Sequence, residues 1–406
     1  MAHNDKMLDL GRTLAGLLTL VLAGCATSPR REAASFSDME SGHLPAVTVT
    51  PEPVLAPAAS GVPELPAAPS AAKPGSGPAS SVFAGNWIPL NRWSEASGLA
   101  QPRLVTGGSQ PVYALETPGG RFLVRMGSEQ ANWEGLEVRL GYAPQLIDQQ
   151  PWIHALDLKK TVQPLLRGLP EPEPARPQTI VIDPGHGGVD TGTRNAAGTL
   201  REKDCALDWA LRLRELLAAQ GWRVYLTRSN DVEVSIASRV ALAERLNADL
   251  FVSLHFNSAA PNESEGGLET YCLTPAGLPS NLTRGYPDDA RQVFPNNAWD
   301  EENLRLAARV HRELLRANGG ADRGLRRARF LGVLRGQQRP AILVEGGYLS
   351  NPREARQIAS PEHRQKLAEA VARALLGSRT QFAAGGHPAG GVGSPTDGVP
   401  LEAPSH

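Results

Sequence analysis

The chain has 406 residues, 41% of them hydrophobic and 20% charged, enough to bury at least one ordinary globular core. Its formal net charge of −1 offers no basic footprint, so no nucleic-acid partner is expected. The three cysteines, Cys25, Cys205 and Cys272, are too few and too scattered for a disulfide framework, and no Cys-x-x-Cys occurs.

Residues 1–25 read as an export signal. Lys6 and Arg12 supply a positive start, and Leu14 to Ala23 form an apolar run. That run is too short to cross about 30 Å of hydrocarbon as a stable helix. Leu22-Ala23-Gly24-Cys25 follows at once and resembles a bacterial lipobox. The resemblance implies lipidation at Cys25, a membrane partner through that anchor, and a place in the periplasm. Ala26, in a position where Asp is absent, implies the outer membrane of a diderm bacterium. A plain signal peptide is the alternative.

Residues 26–82 are rich in Pro, Ala and Ser and are expected to be a disordered, semi-stiff spacer. Residues 83–168 carry short alternating runs, at Pro111–Glu116, Arg121–Arg125 and Leu136–Leu140, separated by turns such as Pro118-Gly119-Gly120. They read as hairpins of a small β-rich accessory domain. The pattern from Tyr142-Ala143-Pro144 to Leu165-Leu166 resembles the N-terminal module of copper amine oxidases. His154 and Asp157 lie here, without a catalytic cluster around them, and read as packed residues. A Pro-rich hinge begins at Leu169.

Residues 178–378 alternate strands with helices. Strands are expected at Thr179–Ile182, Trp222–Thr227, Leu250–Leu254 and Ala341–Val344, with a weaker one at Gly267–Leu273. Helices are expected at Lys203–Gln220, Ser235–Asn247, Glu302–Ala317 and Pro361–Leu376. The alternation predicts an α/β fold, a mainly parallel twisted sheet with helices on both faces. Its site would lie beyond the carboxyl ends of the strands. Residues 379–406 read as a disordered tail.

Three strands end in metal-binding chemistry. The first ends in Asp183-Pro184-Gly185-His186-Gly187-Gly188, the third in Ser253-Leu254-His255-Phe256-Asn257, and a later one in Val344-Glu345-Gly346-Gly347-Tyr348. Glu202 opens the helix after the first strand, at the positive end of its dipole. Two imidazoles and a carboxylate are the ligand set of a catalytic Zn2+ with an open position, one ion per catalytic domain. His186, Glu202 and His255 are therefore the expected ligands, with Glu345 as general base and then acid. Asn257 is expected to support the site as a hydrogen-bonding group, and Arg239 to pair with an acidic group beside it. His311 and His363, in helical stretches, read as packing or surface residues.

Together with Arg201-Glu202-Lys203-Asp204 and Leu349-Ser350-Asn351, these blocks resemble the Amidase_3 type of bacterial N-acetylmuramoyl-L-alanine amidases. The resemblance covers residues 178–378. It implies hydrolysis of the amide joining N-acetylmuramic acid to L-alanine, with peptidoglycan as substrate. Phe256 stands where that family usually has a small residue, and Tyr348 where Phe is common. Related amidases can plug the site with a helix inserted between His255 and the next helix. Thr274 to Asn303 shows no helical period here, so an open site is expected. A Cys205–Cys272 disulfide, a protein activator, cleavage within the stem peptide, and a non-catalytic peptidoglycan-binding role stay open.

Overall fold

The computed structural model describes residues 86–169 and 178–377, all within one compact unit. The expected signal segment with Cys25, the spacer 26–82, the Pro-rich hinge beyond Leu169 and the tail 379–406 lie outside the described residues. Among the described residues, no helix is long and apolar enough to cross a membrane.

The β-rich segment holds β1 (Trp87–Pro89), α1 (Leu90–Ala96), β2 (Arg103–Thr106), β3 (Val112–Thr117), β4 (Gly120–Arg125), β5 (Gln130–Trp133), β6 (Leu136–Arg139), β7 (Gln145–Ile147) and β8 (Gln150–His154). Two single-turn helices, α2 (Ala155–Asp157) and α3 (Gln163–Leu165), flank a π-helical turn at Leu158–Val162. The second segment holds β9 (Thr179–Pro184), α4 (Glu202–Ala218), β10 (Arg223–Leu226), α5 (Ile236–Arg245), β11 (Leu250–Asn257), β12 (Leu268–Cys272) and α6 (Asp300–Asn318). It continues through β13 (Asp322–Arg327), α7 (Gly332–Arg335), β14 (Ala341–Tyr348), α8 (Pro352–Ala359) and α9 (Pro361–Leu376).

One eleven-stranded sheet runs in the order β10-β9-β11-β14-β12-β13-β6-β5-β4-β3-β2. The first four strands are mutually parallel, as the βαβ alternation requires. β12 enters antiparallel to β14 and parallel to β13. β6 joins β13 through one registered pair, Leu325 with Val138, and β2–β6 continue as an antiparallel meander. β1, β8 and β7 form a separate three-stranded sheet.

β9 and β14 are buried along their whole length, and β11 nearly so, because helices cover both faces. Side chains alternate across the strands. Ile180, Ile182 and Val252 pack with Trp209 and Leu213 of α4, Leu304 of α6 and Leu367 of α9. Val181, Phe251 and Leu343 face the other way, toward Ala243 of α5 and Leu334 of α7. The first of these clusters also takes in Leu115, Phe122, Val124, Trp133 and Val138 of the β-rich segment. Arg312 of α6 lies over the Trp133 ring, 4.6 Å from its centroid.

Cys205 and Cys272 are both buried free thiols, so the open disulfide does not form. Each serves locally: Cys205 packs on α4, and Cys272 Sγ donates to the Asn303 carbonyl at 3.3 Å. Burial pushes both thiols up to about 12.

Candidate active site

The carboxyl ends of β9, β11 and β14 lie side by side, with Asp183 in register with Ser253 and His255 with Glu345. β9 ends in a turn that a row of polar groups holds in place. Asp183 is buried and accepts from Thr227 Oγ1 (2.5 Å), Ser253 Oγ (2.7 Å) and Arg239 Nη1 (2.5 Å). Burial opposes its ionisation, but Arg239 and the two hydroxyls outweigh burial and hold the carboxyl below its usual range. Arg239 also donates to the carbonyls of Pro184 (3.0 Å) and His186 (2.8 Å). Arg228 donates to those of Pro184 (3.0 Å), Gly185 (2.7 Å) and Lys203 (2.8 Å). Two buried guanidinium groups thus satisfy carbonyls that no strand partner reaches. They fix His186 at φ 62°, a left-handed conformation that a non-glycine residue adopts only when its surroundings impose it.

The His186 ring is 3% exposed. Its Nδ1 hydrogen-bonds Asp190 Oδ2 at 2.9 Å, and its Nε2 lies 3.0 Å from Glu202 Oε1. Burial disfavours the imidazolium, but the Glu202 and Asp190 carboxylates outweigh it and push His186 up to about 10. Glu202 is the first residue of α4, where the dipole favours a carboxylate. It accepts from Phe256 N (3.0 Å), Thr193 N (2.9 Å) and His255 Nδ1 (2.9 Å). Burial opposes its charge, yet His186 and His255 hold it well below the usual carboxylate range.

One donor atom each from His186, Glu202 and His255 lies within 4.8 Å of the other two, and all three residues are buried. The surroundings keep this space clear. A Cβ at Gly185 would collide with the His255 ring, and one at Gly192 with Glu202 Oε2 and the His186 ring. A nitrogen–oxygen–nitrogen donor set in such a cradle fits a zinc ion. Glu345 stands on the adjacent strand, 3% exposed, and its Oε2 has no hydrogen-bond partner among the described residues. Burial raises this carboxyl well above its usual value and Glu202 adds to the rise, while Arg284 opposes it.

A second polar cluster backs Glu345. Antiparallel pairing sets Glu269 of β12 directly across from it. Glu269 accepts from Asn257 Nδ2 (2.9 Å), Tyr271 Oη (2.7 Å), Tyr348 Oη (2.9 Å) and Arg323 Nε (2.8 Å). Asn257 Oδ1 in turn accepts from Arg284 Nη2 at 3.2 Å.

The structure brings together His186, Glu202, His255 and Glu345, with Asn257 and Arg239 against them. The acidic partner of Arg239 is Asp183. Tyr348 offers Glu269 a hydroxyl that Phe would lack. No helix fills the stretch 274–294; the 3-10 turn Pro295–Trp299 begins after it. His311 is fully buried between Thr270 Oγ1 (3.0 Å) and Asp322 Oδ1 (2.9 Å), and His363 is half-buried on α9. Asp157, on α2, accepts from the backbone of Gly141 (2.8 Å) and Tyr142 (2.9 Å). Sequence reading missed Asp190, Arg228, Glu269 and Arg284. For Asp190 the i+4 spacing from His186 was a usable signal; for the others the pairing depends on the folded sheet.

Residues 180–376 match the family model described as N-acetylmuramoyl-L-alanine amidase, Amidase_3. The amidase AmiC of Escherichia coli O6:H1 is 33% identical over 252 residues, which cover 56% of this chain and 59% of AmiC. YqiI of Bacillus subtilis is 32% identical over 199 residues, 49% of this chain and 84% of YqiI. A solved structure of AmiC2 from Nostoc punctiforme is 34% identical, covers 49% of this chain and 95% of AmiC2, and gives a TM-score of 0.41. The chain thus spans little more than half the length of the AmiC relative. Through residues 180–376, the chain belongs to the Amidase_3 family of N-acetylmuramoyl-L-alanine amidases.

Proposed function

We propose that the protein is a zinc-dependent hydrolase that cleaves the amide between N-acetylmuramic acid and L-alanine in peptidoglycan. One observation carries the reading: three buried donors share one small space beside a carboxyl group with an unpaired oxygen. Family membership supplies the substrate class.

His186, Glu202 and His255 would hold the metal, with Asp190 orienting the His186 ring through Nδ1. Bound there, zinc supplies Lewis acidity toward the scissile carbonyl and toward water. Glu345 Oε2 takes the proton of the attacking water and delivers it to the leaving nitrogen. Asn257 and Glu269 hold the adjacent wall in place.

The test is dye release from labelled sacculi. Release should vanish with chelator and return with zinc; release that survives full metal removal would sink the zinc reading. Glu345→Gln should retain zinc and lose about 100-fold or more in turnover. Muropeptide mass spectrometry separates the muramoyl amide from a bond inside the stem peptide.

We further propose that Cys25 carries a lipid anchor that holds the protein at the periplasmic face of the outer membrane, as its Leu-Ala-Gly-Cys setting suggests. Cys25→Ser should move the protein out of the membrane fraction, and unchanged partitioning would refute the anchor.

A further inference from the structure

The stretch between β12 and the Pro295–Trp299 turn is tied within itself, as by Gly277 N to Ala290 O (2.7 Å) and Ser280 N to Asp288 Oδ2 (2.7 Å), and is also held from both sides. From the connection between β13 and α7, the fully buried Arg329 donates to the carbonyls of Leu278 (2.7 Å) and Pro275 (3.2 Å) and pairs with Asp288. From the β-rich segment, Tyr142 Oη donates to Gly277 O (3.0 Å), and the Leu140 carbonyl accepts from Asn281 Nδ2 (2.9 Å). Leu278 is fully buried against Gly141. The segment is therefore a fixed wall, supported in part by the β6–β7 connection of the β-rich segment.

What this wall presents to the site is Arg284. Its backbone is held at φ 46°, a conformation that persists where the surroundings over-determine it. Its guanidinium carbon sits 5.9 Å from the Phe330 ring centroid, and Nη2 reaches Asn257 Oδ1 at 3.2 Å. Asn257 lies two residues beyond His255 and in register with Tyr348, so the guanidinium stands next to the ends of the two strands that carry His255 and Glu345. Its positive charge works on the Glu345 carboxyl, against burial and Glu202. The residue as a whole is half-buried.

A guanidinium fork matches a carboxylate in shape and charge. In the proposed substrate the lactyl carboxyl is consumed in the scissile amide and the sugar is neutral, so the free carboxylates belong to the peptide. We propose that Arg284 is a specificity-determining residue that takes a carboxylate on the peptide side of the scissile amide, held in place by a wall that the β-rich segment buttresses. This rests on the amidase reading above.

The experiment uses the full-length, zinc-loaded protein and two muramoyl peptides that differ at one group. The residue after L-alanine carries a free α-carboxylate in one and a carboxamide in the other. The wild type should favour the carboxylate by about 10- to 100-fold in kcat/KM, chiefly through KM. Arg284→Gln should abolish that preference, whatever common change in turnover the loss of charge beside Glu345 brings to both substrates, and Arg284→Lys should keep part of it. Calorimetric binding of the free peptide product should weaken in Arg284→Gln by the same factor, independently of turnover.

A wild type that cleaves both substrates without preference would overturn the specificity role alone. So would an Arg284→Gln that keeps the preference. A wild type that cleaves neither would overturn the amidase reading, and this inference with it.

Discussion

Arg239 grips the turn that carries His186 through Asp183 and two carbonyls, all with short, buried contacts. Lysine is a single point of charge and cannot reproduce that fork. Arg239→Lys should weaken zinc binding by about 10- to 100-fold, as removal of outer-shell support does at other metal sites. Competition with a chromogenic chelator measures it, and an unchanged Kd would mean that the turn holds itself. His363, on α9, gives a separate, titratable effect. Burial pushes its imidazole down to about 4 from an ordinary 6.5, with Lys366 and Arg364 adding to the shift. The unfolded chain therefore takes up a proton at a higher pH than the folded one. The associated stability is fully present above about pH 6.5 and is lost as pH falls toward 4. His363→Gln should flatten this part of the profile, read as urea midpoints between about pH 7.5 and about pH 4.5.

At the scale of elements, α4 links core packing to the site. Its Trp209 is fully buried with its ring 5.4 Å from that of Phe256, and it fills the space beside Gly346. Trp209→Ala should cost about 3–5 kcal/mol of stability by urea unfolding. It should also lower zinc occupancy, because Glu202 begins the same helix; normal occupancy would uncouple core from site. Elements with one clear period were legible in the sequence. β9 shows as a continuous apolar run, and α9 spans the residues that its spacing predicted. β13 did not show, because Asp-Arg-Gly-Leu-Arg-Arg is charged and gains strand structure from its neighbours β12 and β6. α8 was missed because it has only eight residues, although Asn351 caps it and Pro352 opens it. The site residues were legible where they close strands. Arg284 and Glu269 were not, since a loop and an antiparallel partner bring them to the site.

At the scale of the whole molecule, the β-rich segment and the α/β segment share an apolar cluster as well as a sheet. Calorimetry should therefore show one unfolding transition for both segments. A chain starting at residue 178 should melt at a lower temperature, since Val138, Trp133 and Leu140 no longer cover β13 and α6. Two independent transitions, or an unshifted truncated chain, would contradict the shared core.

The single rung between Leu325 and Val138 has a mechanical consequence. Heat must melt the whole apolar cluster at once, but a directed pull along β6 loads first the one registered pair and the neighbouring Glu137 N–Asp322 Oδ2 hydrogen bond (2.7 Å) that tie it to β13. Stretched by optical tweezers from its N-terminal side, the protein should yield first at that seam, shedding the meander while the parallel strands still stand.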